Sequence, residues 1–235
     1  MKKSIYLIGL LLALISTTSC NNFIENTKNQ YSYTTLATLV PSNEPKGEVF
    51  IADVLGFKLI ATNYTKPDTV PYNSRFMLAF SVWDYDMNDA DSTWTITLNA
   101  SMKVDKKDMY IVCDTLPEPA MSEQQLYDFE LYSLYKEYLT LGYYTFKPKG
   151  EGQQQMELVR DVRNDSIGSD GKYYVSLQLK HYAPGINAHK YNYNLVSYDI
   201  SPLQEEYKSK TDTLMLNFTY TVDKPKTLTL KYALR

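Results

Sequence analysis

Alternation of apolar and polar residues dominates this chain. From Thr93 to Val104, TWTITLNASMKV, every even position is apolar (Trp94, Ile96, Leu98, Ala100, Met102, Val104) and every odd one polar. Successive side chains of a strand point to opposite faces, so six matches in a row predict a strand with one face on a core and the other in water. The same period recurs in RFMLAFSV (Phe76, Leu78, Phe80, Val82), VSLQLK (Val175, Leu177, Leu179), TLMLNFTYTV (Leu214, Leu216, Phe218, Tyr220, Val222) and TLTLKYAL (Leu228, Leu230, Tyr232, Leu234). Helical spacing is scarce. The predicted fold class is all-β, built of antiparallel sheets.

Two segments need more than periodicity. LYDFELYSLYKEYLTLGYYTF (126–146) fits either a helix or two strands folded at Lys136–Glu137, and its aromatic content with Thr140 and Thr145 favours the hairpin. In SPLQEEY, Ser201 with Gln204 forms a capping box and Pro202 suits a first helical position, which predicts a one-turn helix between strands. Turn-forming residues crowd KPDTVPYN (66–73), DYDMNDADS (84–92), NDSIGSDGK (164–172) and DKPK (223–226). The domain boundary is expected in DTLPEPAMSEQQ (114–125), whose two prolines and capping box, Ser122 with Gln125, predict a linker ending in a short helical turn.

The N-terminus changes the picture from a free β protein to an exported one. Lys2 and Lys3 precede an apolar run, Ile5–Ile15. A spanning helix needs about 20 apolar residues, so this run reads as the core of an export signal, residues 1–19. Thr17, Thr18 and Ser19 then lead to Cys20, which resembles a lipobox, with Thr17 where that motif usually has Leu, Val or Ile. Cys20 is either the lipidation site or an ordinary cysteine after a conventional signal peptide. Acyl chains bury about 0.8 kcal/mol per methylene, so two or more would anchor the protein stably to a membrane. A polar tether (20–32), with NNFIENTKNQ (21–30) at its centre, would hold the folded part off the bilayer.

Removing Lys2 and Lys3 lowers the basic residues from 24 to 22 against 27 acidic, a net charge of −5 for the mature chain. That balance argues against nucleic acid or anionic lipid as a partner. Cys113 is then the one remaining thiol, so no intramolecular disulfide is expected, and in the run MYIVC it is expected to be buried.

Taken together, the chain resembles the NigD-like lipoproteins of Bacteroidetes. The parallel runs from Cys20 through EVFIADVLGFKL, the arginine-led SRFMLAFSV and KKDMYIV, then YLTLGYY, VSLQLKHYA, LVSYDISPL and TLTLKYAL. The resemblance implies an N-terminal OB-like barrel (33–116), closed by KKDMYIV, a linker (117–125) and a C-terminal antiparallel β-sandwich (126–235). It implies a lipid-anchored location in the cell envelope, in the outer membrane. Such proteins tend to reach the outer surface when acids follow the cysteine; only Glu25 does here, which favours the periplasmic face. The family name derives from a bacteriocin-associated operon, which implies an immunity role and no catalytic residue.

Candidate chemistry is sparse. Asp84, Asp86 and Asn88 match positions 1, 3 and 5 of an EF-hand loop, but position 6 is Asp89 rather than Gly and position 12 is Thr95 rather than Glu, so no metal site is expected. His181 and His189 are the only histidines and lack zinc-ligand spacing, and His181 is expected at a strand wall or edge. No GxSxG, P-loop or GxGxxG occurs, so neither a cofactor nor catalysis is expected. Within the barrel the strand region KGEVFIADVLGFKL offers only Lys46 and Lys58 as cations, which disfavours nucleic acid there, whereas 22 tyrosines would suit sugar stacking as well as half-buried strands. The expected partners are the membrane and an envelope protein or glycan.

Asp-Ser/Thr triplets occur at Asp68-Thr69-Val70, Asp91-Ser92-Thr93, Asp114-Thr115-Leu116, Asp165-Ser166-Ile167 and Asp212-Thr213-Leu214, where composition alone would give about one. They resemble the O-glycosylation motif of Bacteroidetes envelope proteins, which implies glycans on Thr69, Ser92, Thr115, Ser166 and Thr213. Asp-Ser/Thr is also a common turn-to-strand signature. If glycans are present, the intact mass of the envelope-purified protein will exceed polypeptide plus lipid, and a mass equal to that sum would exclude them.

Overall fold

The computed structural model describes residues 29–113 apart from 46, 55 and 89, together with 125–147, 155–182 and 187–234. Its strands are β1 (Gln30–Val40), β2 (Glu48–Ala52), β3 (Lys58–Ala61), β4 (Arg75–Trp83), β5 (Met87–Asn88), β6 (Thr93–Asp108), β7 (Tyr110–Val112), β8 (Asp128–Tyr135), β9 (Tyr138–Lys147), β10 (Gln155–Asp161), β11 (Ser166–Ile167), β12 (Tyr173–Tyr182), β13 (Asn187–Asp199), β14 (Thr213–Thr221) and β15 (Pro225–Ala233). One short helix, α1 (Ser201–Tyr207), lies between β13 and β14. The expected signal (1–19), Cys20, Thr115 and the expected cap Ser122 lie outside the described residues.

The first half is a barrel in the order β3-β2-β1-β4-β6, closed by a parallel β3–β6 pairing from Lys58↔Thr93 to Ala61↔Ile96. Its other neighbours are antiparallel, which is the OB-type arrangement. Leu39, Phe50, Leu59, Phe76, Leu78, Phe80 and Ile96 fill the interior. Phe50 meets Phe76 edge-on, with ring centres 5.6 Å apart. Gln30, Tyr31 and Ser32, expected in the tether, are already paired to Trp83, Val82 and Ser81.

Strand β6 departs from its own sequence pattern. Leu98 faces Phe80 and Ala100 faces Ala79, so Asn99 is an extra residue opposite no partner. Such a bulge moves later even positions to the other face. Ile96 therefore lies in the barrel core, whereas Ala100 and Met102, expected on that core, are exposed. Val104 instead joins Leu36, Met77 and Leu195 in a small cluster outside the barrel.

At 16 residues, β6 outruns the barrel. Its end pairs in parallel with β13, from Val196↔Asp105 to Asp199↔Asp108, and begins a second sheet, β6-β13-β9-β8. Met109 is buried in the core between this sheet and the facing one, β15-β14-β12-β10-β7, which β7 enters beside β10. Residues 105–112, expected to close the first domain, are thus hydrogen-bonded into the second. Leu139, Leu141, Leu158, Leu177, Leu214, Leu216 and Phe218 form the sandwich core. Its pairings include parallel ones, β12–β14 and β10–β7, among the expected antiparallel ones.

The hairpin at Lys136–Glu137 forms as expected, with Lys136 in the left-handed region at φ 48°. The helix SPLQEEY forms too, but not by a capping box. Its cap is Ile200; the Asp199 carboxylate accepts from the Ser201 amide at 3.0 Å, and Gln204 donates to the Tyr232 hydroxyl at 2.7 Å. Buried Leu203 and Tyr207 pin the helix, and Arg160 bonds Glu206 at 2.7 Å and Asp165 at 2.6 Å beneath it.

A buried ion pair of the barrel sits at its junction with the sandwich. The Arg75 guanidinium meets Asp53 with both prongs, at 2.6 Å each, and donates to Thr38 at 2.9 Å. From the sandwich, Thr140 and Ser197 accept from it at 3.4 Å, Ser133 donates to Asp53 at 2.7 Å, and the Tyr138 ring lies 4.6 Å beneath it. Removing one partner of such a pair costs more than removing both, because a lone charge stays buried. Arg75→Met will therefore lower stability by about 3–5 kcal/mol, and Arg75→Met with Asp53→Leu by clearly less, as measured by urea unfolding.

Candidate functional site

The sheet that carries Thr140 and Ser197 has one face in the sandwich core and the other outside it. Leu139, Leu141 and Tyr143 of β9 point inward with Val196 and Tyr198 of β13. Alternation therefore puts Tyr138, Thr140, Gly142, Tyr144 and Phe146, with Ser197, Leu195, Tyr193 and Tyr191, on the outer face. Arg75 and its partners seat the barrel on the end of this face that holds Tyr138, Thr140 and Ser197. Leu195, packed on Leu36, Met77 and Val104, closes the angle between them. Beyond Leu195 the described residues leave the face largely exposed.

That exposed part is almost wholly aromatic. Tyr127 stacks on Tyr191 with ring centres 4.3 Å apart and planes 17° off parallel, and Phe146 lies edge-on to both. Tyr144 and Tyr193 are 5.0 Å apart. Tyr193 donates to the Tyr132 hydroxyl at 2.9 Å. Tyr127, Tyr132, Tyr191 and Tyr193 retain 41–48% of their surface in water, a large exposure for four neighbouring rings.

Local backbone features make this shelf. Tyr132 follows Asp128 and Glu130 on the outer face, and as the extra residue of a bulge in β8, between Leu131↔Leu141 and Ser133↔Thr140, it brings Ser133 to that face as well. It lies over Gly142. A Cβ at that position would overlap the Tyr132 ring edge and the Tyr193 hydroxyl, so the glycine lets the two tyrosines meet. Asp128 and Glu130, opposite Tyr144 and Gly142, place carboxylates on the same face.

Burial, with hydrogen bonds to Tyr193 and Glu130, pushes the Tyr132 hydroxyl well above the usual phenol range, and burial raises Tyr193. A hydrogen bond to Tyr191 raises Tyr127. These hydroxyls thus stay neutral and able to donate throughout the physiological range. The shelf offers flat apolar rings, hydroxyl donors and carboxylate acceptors. It suits reversible contact with a neutral, partly apolar ligand.

The residues singled out from sequence lie elsewhere. In the acidic loop Asp84–Asp86 form a single turn and Asn88 bonds Asp91, and among the described residues no three His, Cys, Asp or Glu gather around a common point. His181 is buried on β12. Cys113 is half-buried rather than buried, because it follows β7 at a sheet edge. Lys58 is paired with Glu44. Of the candidate glycosylation residues, Thr69 and Ser166 are exposed, Ser92 and Thr213 half-buried, and Thr115 lies outside the described residues. Sequence reasoning missed the shelf, although Tyr144 with Phe146 and Tyr191 with Tyr193 carry the period-2 signal of an aromatic face.

The class these features define is an all-β protein in which an OB-type barrel covers one half of a sandwich sheet and leaves the other open. Residues 128–232 match the family model of the NigD-like C-terminal beta sandwich domain. Among solved structures, the chain resembles a protein of unknown function from Bacteroides vulgatus at 17% identity, covering 87% of this chain and 92% of that one, with a TM-score of 0.63. A candidate lipoprotein from Bacteroides fragilis shares 15% identity over 87% and 99%, with a TM-score of 0.55. A NigD-like immunity protein from Bacteroides caccae shares 15% identity over 86% and 97%, with a TM-score of 0.54. At such identities the likeness is one of fold. No curated protein matches the chain.

The role given to Gly142 can be tested directly. Gly142→Ala will change the near-ultraviolet dichroism of the tyrosines while leaving the far-ultraviolet spectrum intact, at a stability cost of no more than about 1–3 kcal/mol, because exposed rings can move aside. An unchanged tyrosine signal would rule out that role.

Proposed function

We propose that this chain is a lipid-anchored protein of the cell envelope that acts by binding rather than catalysis, and that the aromatic shelf is its binding surface. The observation that carries the reading is the shelf itself. Four half-exposed tyrosines persist beside a surface that the barrel has otherwise sealed, and a fold needing only stability would gain by covering them. The export signal and lipobox-like Cys20 support the location, and the outer membrane with its periplasmic face is the compartment favoured. The names borne by the Bacteroides fragilis and Bacteroides caccae relatives accord with it.

An immunity role, as the Bacteroides caccae relative's name has it, would use the same surface with a toxin as the ligand. A glycan ligand is the other reading, and the mix of rings, hydroxyls and carboxylates favours it.

Two measurements test the reading. Cys20→Ser will abolish fatty-acid labelling and release the chain from the membrane fraction. A photo-crosslinker replacing Tyr191 will form adducts in growing cells, whereas one replacing Thr227, exposed on β15, will not. Unchanged fractionation would refute the anchor, and equal yields at the two positions would refute the surface.

A further inference from the structure

The ligand can be narrowed by the charge and shape of the shelf. Tyr127, Tyr132, Tyr144, Phe146, Tyr191 and Tyr193 supply its rings, and among the residues whose side chains are described the charges at its β8 edge are those of Asp128 and Glu130. Carboxylates there repel an anionic chain, whether polynucleotide or acidic polysaccharide. A protein-binding patch would centre on a dry apolar core with water kept at the rim. Here the Tyr132–Tyr193 hydroxyl pair lies in the middle of the face, over Gly142.

From these features we infer that the shelf binds a neutral polysaccharide. Pyranose rings present flat C–H faces, which suit the faces of aromatic rings, and hydroxyl rims, which suit phenol donors and carboxylate acceptors. The dimensions agree. From Gly142 to Phe146 is four residue steps, about 13 Å along the strand, and the three strands β8, β9 and β13 span about 10 Å across. That is a floor for a short run of sugar units rather than for one. The floor is continuous with the barrel–sandwich seam at Leu195, so the barrel stands at one end of it and a glycan chain would lie beside that wall. The raised hydroxyl pKa values keep the donors intact in mildly alkaline as well as acidic surroundings.

The inference rests on the binding role proposed above and can fail separately from it. The test is electrophoresis of the full mature chain through native gels containing mannan, starch or a mixed-linkage β-glucan, with polygalacturonate as the anionic counterpart. At least one neutral polymer will retard the protein. Tyr127→Ala with Tyr191→Ala will weaken that retardation tenfold or more without shifting the melting temperature appreciably, because both rings are exposed. Tyr85→Ala, which removes an exposed ring on the barrel side, will leave it unchanged. Absence of retardation by every neutral polymer, equal retardation of the double variant, or stronger retardation by polygalacturonate would overturn the inference. If these gels fail while the crosslinker at position 191 still captures a protein in cells, the glycan falls and the binding role stands.

Discussion

A guanidinium sealed from water must find its acceptors within the protein, and Arg75 finds them on both sides of a seam. Asp53 and Thr38 come from the barrel, Thr140, Ser197 and Tyr138 from the sandwich sheet. The pair fixes more than distance. The two-pronged bond lies within the barrel, and the contacts that cross from it to Ser133, Thr140, Ser197 and Tyr138 seat the barrel on one end of the sheet, so they decide which outer-face residues are covered and which remain open. The aromatic shelf is what remains. A barrel seated two residues further along β9 would cover Gly142 and Tyr144 instead.

Much of the fold was legible because the strands alternate cleanly. RFMLAFSV and VSLQLK bury the residues their period names, as does TLMLNFTYTV as far as Phe218, with Tyr220 and Val222 half-buried, and the turn at Lys136–Glu137 falls where two aromatic strands must reverse. The failures share a cause. TWTITLNASMKV reads as one face throughout, but the bulge at Asn99 arises from pairing with β4 and leaves no mark in a pattern of apolar and polar letters. The capping box of SPLQEEY has the right letters, but Asp199 is one residue closer and Gln204 finds a better partner in Tyr232.

The shelf was hidden for a different reason. Its rings come from β8, β9, β13 and the residue before β8, and their adjacency depends on strand order, which local periodicity does not encode. Tyr132 crosses from β8 onto β9, and Gly142 matters only because Tyr132 crosses it. An abundance of tyrosine is ambiguous in a β protein, since the residue suits a half-buried strand as well as a ligand. What separates the two uses is exposure of neighbouring rings on one face, a property of the folded sheet alone.

Strand β6 also bears on how such a protein can be inherited. Residues 105–112 are covalently part of the N-terminal half yet supply one strand segment to each sheet of the C-terminal half. The segment 128–232 that matches the NigD-like domain omits both. A recombination event that joined that segment to an unrelated partner would leave β10 and β13 each with a missing neighbour. The heritable unit is therefore longer than the recognisable one, and the two halves are constrained to travel through evolution together.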